Sequence, residues 1–205
     1  MEMTAVARPE PRSARRLSRG ERREQLVAAA LPVVARQGLG GFSLDAIAAR
    51  AEVTRNLLYH YFPRGRADIV LAVAERAGGQ LTRGWVTDEF QPLSGRLSAN
   101  FARIMDHALA PTHAWRIHRM ARAALDPELD QVVERFVDVV ISSIALNHLG
   151  TPDPPPLVRL ALDGFVAFTE TVLEQARSQA LPRAQVATLL TQTLTATIDA
   201  ALSAT

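Results

Sequence analysis

Neither cysteine nor lysine occurs anywhere in the 205 residues. Without cysteine the chain has no disulfide framework, no thiolate nucleophile and no cysteine-ligated metal. Without lysine it has no ammonium for a phosphate-binding loop or a Schiff base, and several enzyme classes are excluded at once. All 23 basic side chains are arginine. Long apolar runs are missing as well: none reaches the roughly 18 residues of a membrane span, and the N-terminus has no signal-peptide core of about 7 to 15 apolar residues. The expected setting is the cytoplasm, without membrane contact. Aromatic residues are scarce at 5%, yet hydrophobic residues make up 48%, enough to bury a sizeable core in one or two domains.

The net charge of +2 hides an asymmetry. Residues 1–66 hold twelve arginines against six acids, or +6, while the remainder holds eleven against fifteen, or −4. An arginine run is often no more than a solvated face; one that coincides with a binding motif favours nucleic acid.

Such a motif lies in the basic part. Leu44, Ile47, Ala48 and Ala51 follow the i, i+3, i+4, i+7 spacing of one helix face, and Ser43 precedes them as an N-cap whose hydroxyl can accept from unpaired amides. After the short connection 51–54, Thr54 offers a second N-cap, and Leu57, Leu58 and Phe62 form a second apolar set that packs back on the first. This is a helix-turn-helix pattern. The second helix turns Thr54, Arg55, Asn56, Tyr59 and His60 outward, a set of donors suited to bases and phosphates in a major groove. Arg55, with Asn56, is expected to read base edges, and Ser43, Tyr59 and His60 to hold phosphates. Arg66 completes the candidate DNA-binding set. Packing within the N-terminal helices is the alternative for Tyr59, and simple exposure for His60.

These residues resemble the DNA-binding domain of the tetracycline-repressor (TetR) family of bacterial transcription regulators. The most specific part is Val53-Thr54 followed by Tyr59-His60-Tyr61-Phe62, with Ile47-Ala48 and Ala51 upstream and Arg23, Leu26, Ala29 and Gly38 in the preceding helix. The likeness covers about the first third of the chain. Two departures stand out: Glu52 occupies a position where the family usually has glycine, and the loop 63–66 is one residue longer than the common form. Glycine at position 52 would tolerate a positive φ that glutamate resists.

The rest of the chain reads as helix throughout, so the expected fold is all-α: a three-helix head carrying the helix-turn-helix, then a larger helical body for ligand binding and dimerisation. Residues 1–20, with two prolines and five arginines, are expected to be a disordered basic arm; Arg15, Arg16 and Arg19 are candidates for a minor groove, a solubilising extension being the alternative. Residues 21–66 form the head and 67–205 the body. The first head helix, 21–37, contains Pro32, where a kink or broken turn is expected. The loop 38–41 has neither the preceding strand nor the lysine of a phosphate cradle and reads as a connector. A helix over 67–85 links head to body and is the candidate transmission element, with Gly78, Gly79 and Gly84 as soft points. Helices follow over 93–109, 112–125 and 127–149, then a proline-rich connector, 150–156, and helices over 157–178 and 183–202.

The last two helices carry broad smooth stripes, including Leu160, Gly164 and Phe168 on one and Leu190, Leu194 and Thr197 on the other. Plain core is one reading. Contact between like chains is the other, and the resemblance implies that this pair joins its twin in a homodimer. In the body, Trp115, His118, Arg119 and Arg122 fall at i, i+3, i+4 and i+7, with Phe101, Met105, Phe136, Phe165 and Phe168 available from other helices. That mixture suits a small-molecule pocket, although such a stripe is also what part core and part solvated arginine looks like. Neither metal-ligand spacing nor a nucleophile motif is present, so no catalytic residue, metal or cofactor is expected. The resemblance implies a homodimeric repressor on a palindromic operator of double-stranded DNA, released by a small-molecule effector that is largely apolar with a polar or acidic group near Trp115, His118 and Arg122. The alternative is a helical interaction module or enzyme that retains a helix-turn-helix.

Overall fold

A computed structural model of the protein describes residues 17–85 and 92–204. Every regular element among the described residues is a helix: α1 (Arg19–Gln37), α2 (Leu44–Ala51), α3 (Arg55–Tyr61), α4 (Arg66–Leu81), α5 (Leu93–Leu109), α6 (His113–Arg122), α7 (Pro127–Leu149), α8 (Pro156–Ser178) and α9 (Arg183–Ser203).

The helix ends follow from local chemistry. At the start of α1 the Ser18 hydroxyl accepts from the Glu21 N–H at 3.2 Å while the Glu21 carboxylate accepts from the Ser18 N–H at 2.8 Å, a reciprocal cap that satisfies two amides. Arg19 and Gly20 therefore belong to α1 and not to an arm, while Arg15 and Arg16 lie outside the described residues. Of the expected kink or broken turn, the break does not occur: α1 runs on through Pro32, which is buried, as are Leu31, Val33 and Val34. One lost backbone donor is outweighed there by burial on a packed face. Likewise α4 continues through Gly78 and Gly79. Gly78 faces α7, where a Cβ placed on it would meet the Phe136 Cβ at an ordinary packing distance of 3.5 Å. The expected helix 112–125 stops at Arg122, because Leu125 takes φ 51° and the Asp126 carboxylate caps α7 at the Glu128 and Leu129 amides.

α1, α2 and α3 close around Phe42, Ile47, Leu58 and Phe62, all essentially without solvent contact. From there α4 leads away, packing on α1, α6 and α7. α6 has α1 and α4 against it as well as α7, and α8 and α9 pair with each other and rest on α5. Buried apolar side chains form one continuous cluster from Leu26 in α1 to Ala201 in α9, so the N-terminal helices share a core with the rest.

Candidate nucleic-acid interface and buried cavity

The turn between α2 and α3 is set by Glu52, which adopts the left-handed conformation (φ 55°, ψ 44°) that glycine would occupy without strain. Its N–H reaches the carbonyls of Ala48 and Ala49, and the Val53 N–H reaches Ala48 at 3.0 Å, closing α2 as a glycine would. With Leu58 buried and Leu57 half-buried on the inner side of α3, the residues Thr54, Arg55, Asn56, Tyr59 and His60 are all exposed. Five of the seven sequence-predicted DNA-binding residues thus come together. Thr54 makes no side-chain capping bond. Arg55 lies 3.3 Å from an Asp45 oxygen and donates to the Tyr59 hydroxyl at 3.4 Å, with its guanidinium 5.8 Å from the centre of that ring. The Tyr59 hydrogen bond, then the Asp45 charge, raise the Arg55 pKa and keep it cationic. Tyr59 itself leans on the loop before α4, where a Cβ on Gly65 (φ 62°) would come within 3.3 Å of the ring. His60 meets Tyr61 edge-on at 5.2 Å.

The other two predicted residues stand apart from that set. Ser43 uses its hydroxyl to cap α2, accepting from the Ala46 N–H at 3.2 Å. Arg66 donates to the Gly40 carbonyl at 3.2 Å, lies 5.0 Å over the Phe42 ring, and lines a groove shared with Asp126, Glu128 and Leu129. Its guanidinium is thus engaged with the α1–α2 connection.

Between α5, α6, α7 and α8 lies an apolar cavity of about 60 Å³. Of the sequence-predicted ligand-binding residues, Phe101, Trp115, Phe136 and Phe165 line it. Met105 is buried but does not reach it, and Phe168 points outward, 37% exposed. His118, Arg119 and Arg122 also do not line it; they converge instead on Glu170, a residue the sequence reading passed over. His118 Nε2 lies 2.8 Å from Glu170 Oε1, while Arg119 at 2.7 Å and Arg122 at 3.1 Å share Oε2. Burial pushes the Glu170 carboxyl up, but the His118 hydrogen bond and the charges of His118, Arg122 and Arg119 outweigh it and hold the group below the usual carboxylate range. The signal for Glu170 was present: it falls on the buried spacing Leu162, Val166, Thr169, Leu173, and a charge on a core stripe needs partners. Trp85, Asn100, Asn147 and Thr169 also line the cavity and were missed.

The stripes on the last two helices divide. Leu160, Gly164 and Phe168 are exposed on α8, but Leu190 and Leu194 are fully buried within the protomer and Thr197 is half-buried. The expectation that Leu190 and Leu194 form a contact between chains is corrected, since both fill this chain's own core and Leu194 lines the cavity. The exposed apolar residues of α9 are Ala184, Leu189, Ala196, Ala200 and Leu202. Among the described residues no group of three or more His, Asp or Glu side chains could hold a metal ion, and no helix is long and apolar enough to cross a membrane.

The family model described as bacterial regulatory proteins, tetR family, matches residues 26–78, from α1 through most of α4. The fold is similar to that of a tetR-family transcriptional regulator from Streptomyces coelicolor, with 26% identity, 92% of this chain and 85% of that one covered, and a TM-score of 0.76. A TetR-like transcriptional regulator from Rhodococcus sp. RHA1 shares the fold at 20% identity, with 87% and 96% covered and a TM-score of 0.61. So does the multidrug binding protein EbrR complexed with imidazole, at 22% identity, 84% and 94% covered, and a TM-score of 0.61. Comparison with the curated proteins finds no match. With a helix-turn-helix inside the matched residues and nearly its whole length laid along such a regulator, the chain carries the DNA-binding domain of the tetR family of bacterial regulatory proteins and has the fold of a DNA-binding transcriptional regulator.

Proposed function

We propose that the protein is a repressor that binds a palindromic operator as a homodimer and leaves it when a small molecule occupies the cavity. Residues 21–66 act as the DNA-binding head, 67–205 as the ligand-binding and dimerisation body, and the basic stretch before the head as a DNA-binding arm. The observation that carries this reading is the position of α6. Its Trp115 lines the cavity and the centre of its His118 ring lies 4.5 Å from that of the cavity residue Phe136, while the same helix packs against α1 and α4. A molecule that moves the cavity wall therefore acts on the helices that carry and orient α3.

At about 60 Å³ the cavity holds roughly two waters, whereas drug-sized ligands need several hundred Å³. Binding must displace the walls, and this is what lets a ligand favour one arrangement over another. A differential of about 1 to 3 kcal/mol lowers operator affinity roughly 5- to 150-fold, and operator weakens ligand binding by the same factor. Homodimerisation is supported by Leu157, Leu160 and Phe168 on α8 and Leu189 on α9, large apolar side chains exposed on the helix pair.

The test is a gel-shift titration on DNA upstream of the protein's own gene, followed by a search for compounds that shift the thermal melt. Operator binding with half-sites about 34–36 Å apart, or multiples of that, is expected, together with at least one compound whose affinity falls when operator is present. Equal affinity for every binder with and without operator would remove the ligand-controlled release.

A further inference from the structure

Both tryptophans of the chain line the cavity, and they differ in one respect. The Trp85 indole N–H donates to the Leu81 carbonyl at 3.0 Å. The Trp115 N–H, on a side chain only 2% exposed, has no acceptor among the described residues. A second orphan lies on the same wall. Threonine hydroxyls within helices usually return to the carbonyl four residues back, and Thr171, Thr188 and Thr195 do so here. Thr169 does not: its hydroxyl is without a partner among the described residues, although the residue is nine-tenths buried. An unmatched buried polar group is costly, so two among the residues that line one apolar cavity, Trp115 on α6 and Thr169 on α8, point to an incoming polar atom.

The charge of the wall narrows the ligand further. Glu170 is the ionisable side chain that lines the cavity, and its two oxygens already accept from His118, Arg119 and Arg122. A carboxylate ligand would meet that carboxylate, whose cationic partners Arg119 and Arg122 are already committed to it, and an ammonium would have to displace two arginines. Either would be buried as an unbalanced charge. Indole N–H can only donate, whereas a hydroxyl can donate or accept.

We propose that the molecule taken by this cavity is uncharged and largely apolar, with a carbonyl-type oxygen that accepts from the Trp115 N–H and a second polar contact at the Thr169 hydroxyl. This deepens the reading of the chain as an effector-controlled regulator and corrects the acidic group expected beside Arg122, which is committed to Glu170. Because Trp85 and Trp115 are the chain's two tryptophans, intrinsic fluorescence reports occupancy directly.

The probes are two matched sets: cyclohexanone, cyclohexanecarboxylate and cyclohexylamine, and 2-nonanone, nonanoate and nonylamine. Titrated into the full chain, at least one ketone is expected to change the fluorescence and raise the melting temperature, with the acid and amine of its set at least tenfold weaker. Trp115→Phe, read through Trp85, and Thr169→Val are each expected to weaken that ketone about five- to tenfold while the variants still melt cooperatively. Preference for an acid or amine, no binding by any probe, or unchanged ketone affinity in Thr169→Val and Trp115→Phe overturns the assignment. The operator is measured separately: a ketone that binds through Trp115 and Thr169 but leaves gel shifts unchanged upholds the cavity's chemistry and removes ligand-controlled release.

Discussion

Arg55 is held in the free protein by Asp45 and Tyr59, the contacts it must exchange for a base edge if it reads DNA. Both members of the Asp45 pair are largely solvated, so the contact is weak. Asp45→Asn is expected to tighten operator binding about two- to fivefold, by freeing Arg55 and removing a carboxylate from beside the phosphates, with a larger gain at low salt. Arg55→Ala should cost about 1 to 3 kcal/mol and relax one position of the site. Gel shifts on operator and on single-base variants check both, and equal loss on every sequence would deny Arg55 a reading role. Glu52 offers a stability counterpart. Its left-handed backbone costs about 1–2 kcal/mol, of which glycine would return part against its greater freedom in the unfolded chain. Glu52→Gly is expected to raise the melting temperature by about 1 to 4 °C in calorimetry; an unchanged or lower value would mean that the turn carries no strain.

At the scale of elements, Glu170 ties α8 to α6 through three donors, deep enough that the tie is not a surface ion pair. Removing one partner of such a group strands the others, so Glu170→Ala should destabilise the protein by about 3 kcal/mol. The pH dependence has a definite sign. Because the folded carboxyl lies below its ordinary value of 4.5, the unfolded chain takes up the proton first. The contribution is whole above that ordinary value and is lost as the pH falls through it toward the lower folded value. Melting curves of wild type and Glu170→Ala are therefore expected to differ most near neutrality and to converge below about pH 4.5; a gap that stays constant down to acid pH would show that packing, not charge, makes the tie.

For the whole molecule, the exposed apolar residues of α8 and α9 set the test of assembly. Gly164 is exposed, with nothing within 4 Å of a Cβ placed on it, so Gly164→Arg can be made without disturbing the protomer. The variant is expected to keep its melting behaviour when dilute yet sediment as a monomer at concentrations where the wild type is a dimer, because a long cation would stand where two α8 helices approach. It should also bind operator far more weakly, having lost the second head. Wild-type protein that sediments as a monomer at micromolar concentration would refute the dimer.

What the sequence by itself determined is whatever is local along the chain. Capping residues such as Ser43 and the 3.6-residue spacing of Leu44, Ile47, Ala48 and Ala51 act within a few residues, which is why α5 and α7 end where their patterns end and why α3 shows Arg55, Asn56 and Tyr59 outward. Tertiary structure decided what each buried stripe touches. Periodicity says that Leu190 and Leu194 lie on an apolar face, but a face that fills its own core and one that meets a second chain have the same pattern, and only packing showed the first. His118, Arg119 and Arg122 likewise read as a binding stripe because their partner, Glu170, stands about fifty residues away in sequence on another helix. Gly78 read as a soft point for want of Phe136 beside it. Charge pairing, close approach and cavity walls depend on distances in space between segments far apart in the chain, and no local pattern encodes them.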